Sequence, residues 1–235
     1  MNIFAGMTRA WALFSVMAAI CFNAYSQTHY VPHISVGAKG GVTFSDVSFS
    51  PGVKQSMLMG ATFGGVFTYA EERHVGLRFE LNIAQRGWKE NFEEFNDEFN
   101  YSRQLTYIEL PVMTHIFFGG RRVKCLFNLG PQFAYMISEN VKSNFNYHDP
   151  ASVPGFPIAN RHQEQMYLDI KNKFDYGITA GIGVEFVINR RNSIQLEGRY
   201  YFGLGNIYPA SKKDVFGASR NQSIVGTLAY MFRVK

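Results

Sequence analysis

The chain has 235 residues, 46% of them hydrophobic and 16% aromatic, with 22 glycines and a formal charge of +5. A mean hydropathy of -0.11 is too polar for a bundle of membrane helices, and no basic block interleaved with aromatics marks a nucleic-acid surface. The mild, dispersed positive charge is a weak argument for anionic lipid headgroups and none for nucleic acid. The first element in the chain reads as a cleaved export signal over 1–26: Arg9, the apolar run Trp11 to Phe22, and the small-x-small triplet Ala24-Tyr25-Ser26 before Gln27. A start at Met7 serves equally well. Lipidation of Cys21 is the rival reading, but Ile20 is a poor residue before a lipidated cysteine. Removing the signal leaves 235 - 26 = 209 residues, a short leader over 27–33, and Cys125 as the sole thiol, so no intramolecular disulfide forms.

From 34 onward, apolar and polar residues alternate with a period of two. The first strand sets Ile34, Val36, Ala38, Val42 and Phe44 against Ser35, Lys39 and Thr43. A polar link from Asp46 to Gln55 follows. The second strand carries Met57, Met59, Ala61, Phe63, Phe67 and Tyr69 on one face and Thr62, Gly64 and Thr68 on the other. The third is the clearest: Val75, Leu77, Phe79, Leu81 and Ile83 alternate with Gly76, Arg78, Glu80 and Asn82, a pattern no amphipathic helix produces. It ends near Trp88, expected as an interfacial anchor.

An acidic link, Lys89 to Ser102, leads to a fourth strand with Ile108, Leu110, Val112 and Ile116 outward and Tyr107, Glu109, Met113 and His115 inward. Pro111 lies inside it and Pro131 inside the fifth strand, which runs from Val123 to Tyr135. Proline removes a ladder donor, so both are expected to mark a kink or bulge. The stretch Ser138 to Lys173, with Pro150, Pro154 and Pro157, reads as a long loop made for contact, whose replacement over Asn144 to His162 should leave the rest folded. Alternation resumes over Phe174 to Ile188, turns at Asn189 to Asn192, continues through Ile194 to Leu204, and after a polar loop ends through Ile224, Leu228, Tyr230, Phe232 and Val234.

Eight such segments, each roughly 10 to 14 residues long, with alternately long and short links, predict an all-β fold: an eight-stranded antiparallel up-and-down transmembrane barrel over 34–235. Lipid offers no hydrogen bonds, so a spanning sheet must close on itself, apolar outside. Links one, three, five and seven read as long and extracellular; two, four and six as short and periplasmic. Localisation in the outer membrane follows.

With these phases the lumen receives Lys39, Arg78, Lys124, Arg199 and Arg233 against Glu80, Glu109, Asp175, Glu185 and Glu197. A barrel of eight strands is only wide enough for side chains, so paired charges should plug it. A catalytic dyad of His115 and Glu109 is excluded, because six residues along an extended strand separate them by roughly 20 Å. His148-Asp149 and His162-x-Glu164 offer metal-ligand residue types in the long loop, but at the irregular spacing that usually marks solvated loop residues, and no phosphate-cradling glycine loop is present. A small porin or solute-binding barrel and an outer-membrane lipid-modifying enzyme are the alternatives to a non-enzymatic barrel.

The segments Gly37-Ala38-Lys39-Gly40-Gly41-Val42, Leu81 to Trp88, Tyr107-Ile108-Glu109-Leu110-Pro111 and Asn128-Leu129-Gly130-Pro131 resemble the recurring strands of the PorT-like outer-membrane barrels of Bacteroidetes. The resemblance spans nearly the whole chain after the signal. It implies an eight-stranded outer-membrane barrel and an accessory part in type IX protein secretion, with secretion-system proteins as partners at the extracellular loops or periplasmic rim. It brings no catalytic residues with it.

Overall fold

The computed structural model describes residues 32–72, 74–92, 99–157 and 162–234. The export signal and all but the end of the leader therefore lie outside the described residues. Eight strands follow one another: β1 (His33–Ser50), β2 (Gln55–Ala70), β3 (Val75–Glu90), β4 (Tyr101–Gly119), β5 (Val123–Ser143), β6 (Phe174–Val187), β7 (Asn192–Gly203) and β8 (Ala218–Arg233). Each pairs antiparallel with the next, and β8 returns to β1 from Ser35 opposite Arg233 to Ser50 opposite Ala218, so the sheet is a closed barrel. Closure removes both edges, which leaves no row of unpaired backbone groups to face lipid.

The predicted outward faces are the exposed ones: Leu81, Ile182, Leu196 and Leu228 are all more than half exposed, while Arg78, Glu80 and Asn82 between them are buried. This apolar belt is the physical mark of a barrel that stands in a bilayer.

Above the belt, at the end that carries the longer links, the pattern inverts. On β1 the outward sequence changes from Val42 and Phe44 to Asp46, Ser48 and Ser50, while the inward one changes from Lys39 and Thr43 to Val47 and Phe49. On β4 and β5 the outer face becomes Thr106 opposite Ser138, Gln104 opposite Asn140 and Ser102 opposite Lys142, and the inner face becomes Leu105 and Tyr101. The strands thus rise out of the membrane as a water-soluble wall around an apolar interior.

This changes several boundaries. Link one is only 51–54, because the polar residues from Asp46 onward are strand with a hydrated outer face. It is as short as link two, 71–74. The long fifth link begins after Ser143, not at Ser138, and its described residues include a 3-10 turn (Pro150–Ser152) and a short helix, α1 (Glu164–Tyr167). Trp88 is not an interfacial anchor: it is fully buried inside the wall, edge-on to Phe49.

The prolines are also corrected. Register runs through Pro111 and Pro131 without a slip; the register shifts lie between Met57 and Thr62 on β2 and between Thr106 and Tyr107 on β4. Ladder pairing lapses beside the prolines, from Pro111–Gln132 to Thr114–Leu129 between β4 and β5 and from Phe79–Val112 to Asn82–Glu109 between β3 and β4, and resumes in the same register, with the β5–β6 pairing unbroken alongside. Gly130 makes this possible, since a Cβ there would collide with the Val112 carbonyl.

Candidate functional site: a plugged lumen under an aromatic cap

Alternation puts every second residue of eight strands into one narrow tube, so the site is built from side chains that meet across the barrel. The central cluster is organised by Glu80. Its carboxylate accepts from Arg78 Nε at 2.8 Å, from Asn82 Nδ2 at 3.1 Å, and from Arg199 twice, Nη1 at 2.8 Å and Nη2 at 2.9 Å. Lys39 also pairs with it. Arg199 grips Glu197 as well, at 2.9 Å, and Glu197 accepts from Asn128 Nδ2 at 2.7 Å. Asn128 is in turn joined to His115 Nδ1 at 2.6 Å. Three cations thus meet two carboxylates, and all five side chains are buried. Gly181 creates the room, because a Cβ at that position would strike Glu197.

A second cluster lies nearer the cap. Arg86 pairs with Glu109 and stands 3.5 Å from Asp175, with its guanidinium 4.0 Å from the Tyr201 ring centre and 5.6 Å from that of Tyr107. Gln132 donates to Glu109 at 3.1 Å and Asn221 to Asp175 at 2.9 Å. Here one cation meets two carboxylates, so the surplus charge is opposite to that of the central cluster. The two clusters together balance. Charges taken from water persist only with such partners.

At the turn end, Lys124 lies 3.3 Å from Glu185, which accepts from Ser193 at 2.6 Å. A cavity of about 30 Å³ opens there, and one of about 10 Å³ lies between the two inner clusters beside Asn82, Glu109 and Tyr201. Volumes of this size hold single waters. Arg233 stands half-exposed beside the turn-end cavity, outside the ion-pair clusters. The structure puts Arg86 in the interior role expected of Arg233. The signal was available: continuing the strand-three alternation past Asn82 through Ala84 reaches Arg86, then Trp88 and Glu90, all buried. His115 and Glu109 fall in different clusters, each with its own partner.

The cap is the second layer. Phe49, Trp88, Phe92, Phe99, Phe156 and Phe216 pack with Met166, Ile170 and Tyr208 into one buried apolar core drawn from the strands and from links three, five and seven. Arg103 ties it down, reaching the Gln165 and Leu168 carbonyls at 3.1 and 2.8 Å and Glu139 at 2.6 Å. Tyr101 donates to the Met166 carbonyl at 2.8 Å, and Gln165 donates to Glu90 at 3.0 Å. Tyr208 donates to the Gln165 carbonyl at 2.9 Å. Burial holds its phenol above the usual range, so it remains a neutral donor. Link five is therefore folded over the barrel mouth and fastened to it.

A family described as outer membrane protein beta-barrel domain matches residues 25–208. None of the curated proteins matches the chain. Similar solved structures include OprG from Pseudomonas aeruginosa, at 12% identity over 86% of this chain and 93% of that one, TM-score 0.46. Outer membrane protein W of E. coli matches at 13% identity over 88% and 100%, TM-score 0.44. Ail, the attachment invasion locus protein of Yersinia pestis, in complex with the heparin analogue sucrose octasulfate, matches at 13% identity over 85% and 98%, TM-score 0.41.

Proposed function

Because this chain belongs to the outer membrane protein beta-barrel domain family, we propose that it is a closed, non-enzymatic outer-membrane barrel that carries no solute and works through the surface of its capped end. The observation that carries this reading is the double closure of the lumen: buried ion-paired clusters at mid-barrel, and an aromatic core above them fastened by Arg103. An open pore needs continuous water, and a cap held by backbone-directed hydrogen bonds presents a fixed surface to whatever lies outside. Outer-membrane lipid meets the belt; no cofactor enters the mechanism.

The test is conductance. The purified protein in planar bilayers is expected to pass no steady current. Steady current through the wild-type chain would overturn the closed-barrel reading and leave the small porin in its place.

Participation in protein delivery to the cell surface is the finer reading, supported by the resemblance of Tyr107 to Pro111 and of Asn128 to Pro131 to PorT-like barrels. The residues that carry this likeness are occupied in the barrel: Glu109 with Arg86 and Gln132, Asn128 with His115 and Glu197. Contact with secretion-system proteins would then fall to the capped end or the opposite rim. Deleting the gene and fractionating the culture for surface-delivered proteins is the experiment, and unchanged delivery removes the assignment.

A further inference from the structure

The last residues of link five and the first of link seven are pinned side by side where the apolar belt ends. Asn172 N donates to the Ile207 carbonyl and Asn172 Nδ2 to that of Asn206 at 2.8 Å; Leu204 N and Gly205 N both donate to the Tyr176 carbonyl, at 2.8 and 3.2 Å; Met136 N donates to the Lys173 carbonyl at 2.8 Å. These bonds fix the walls of an outward-facing groove of about 650 Å³. Its lower part is apolar and exposed: Tyr135, Phe174, Tyr176 and Leu204 continue the belt, with Phe174 stacked between Phe133 and Tyr176. Its upper part carries Lys171 and Lys173, both exposed. Asp214, an acid on link seven, accepts from Ser211 N at 2.7 Å and lies within electrostatic reach of Lys171, so Lys173 is the cation of the pair without this neighbouring acid.

We propose that this groove binds the phosphate of an anionic membrane lipid, with Lys171 and Lys173 on the headgroup and the acyl chain along Tyr135, Phe174, Tyr176 and Leu204. The order of the chemistry is that of a lipid standing in the bilayer: acyl against the belt, phosphate at the interface, ammonium groups above it. A volume of this size suits a bound amphiphile. Each lysine beside an anionic lipid surface is worth about a fivefold preference, so two together give a preference of about 25-fold. The proposal rests on the barrel standing in a membrane, not on the lumen being closed.

The test uses the full chain, folded as judged by heat-modifiable migration, in nanodiscs of equal phosphatidylglycerol and phosphatidylcholine, with retained lipid read by native mass spectrometry. The wild-type protein should retain phosphatidylglycerol over phosphatidylcholine by about 25-fold. The K171Q/K173Q protein should lose that preference, and R121Q/R122Q, which removes the same charge at the other end, should keep it. Equal retention of the two lipids by the wild-type protein overturns the site. So does equal loss in both variants, which would mean diffuse charge attraction. Displacement of the lipid by millimolar inorganic phosphate would show that free phosphate suffices and overturn the lipid assignment. Bilayer conductance does not depend on any of these outcomes, so failure here leaves the closed-barrel reading standing.

Discussion

Arg199 on β7 binds both carboxylate oxygens of Glu80 on β3, at 2.8 and 2.9 Å, although they lie 119 positions apart in the chain and three strands stand between them either way around the barrel. The pair spans the lumen. It converts two opposite walls into one electrostatic unit, in which Glu80 also neutralises Lys39 and Arg78.

Substituting Glu80→Ala should therefore cost about 3 to 5 kcal/mol, since three buried cations are left with Glu197 as their shared counter-charge. The urea midpoint of reversible unfolding in detergent micelles reads this directly. A midpoint within error of the wild type would mean that water already screens the cluster, and the plug would not be a dry one.

Arg86 makes a separate prediction. R86M leaves Glu109 and Asp175 facing each other without their shared cation, and should destabilise by a similar amount. Neutralising the acids as well, in R86M/E109Q/D175N, should recover much of the loss, because the penalty comes from unpaired charge and not from missing volume. If the triple variant is no more stable than R86M, packing of the guanidinium on Tyr201 is the larger contribution.

Trp88 distinguishes an interior residue from a lipid anchor. The chain has 2 tryptophans, and the other, Trp11, lies in the expected export signal, so the processed protein would report on Trp88 alone. Its fluorescence should resist quenching by brominated acyl chains and by acrylamide. Truncation to alanine should cost about 3 to 5 kcal/mol. Strong quenching by brominated lipid would put the indole outside the wall.

Link five should behave as a fastened cap with a loose tip. In intact cells a protease is expected to cut near the exposed Gly155, not within Glu164–Tyr167, whose Gln165 and Met166 are buried. Arg103→Ala removes the hold on the Gln165 and Leu168 carbonyls and should extend cutting into that segment. Cutting at 189–192 in intact cells instead would reverse the sidedness of the barrel.

Replacing 144–162 with a short Gly/Ser link should keep the barrel closed and heat-modifiable, yet open the cap, because Phe145 and Phe156 leave its core. The readout is new acrylamide access to Trp88. Loss of heat-modifiable migration would mean that the cap is needed for the barrel itself.

The period of two by itself determined the strands, their inward and outward faces, and the closed eight-stranded barrel, because side-chain direction in a strand depends only on parity and lipid demands closure. It also placed Arg78, Glu80, Glu197 and Arg199 in the lumen. Which of them meet was decided only by tertiary structure: register and shear bring Arg199 to Glu80 across the tube, a relation that no local spacing encodes. The same holds for the cap. Phe49, Trp88, Phe156 and Phe216 come from distant strands and links, and their burial depends on the wall rising beyond the membrane. There water replaces lipid outside, and the inside becomes the apolar side. Read locally, Asp46 to Ser50 is a polar link and Trp88 an anchor; the folded wall makes the first a strand and the second a core.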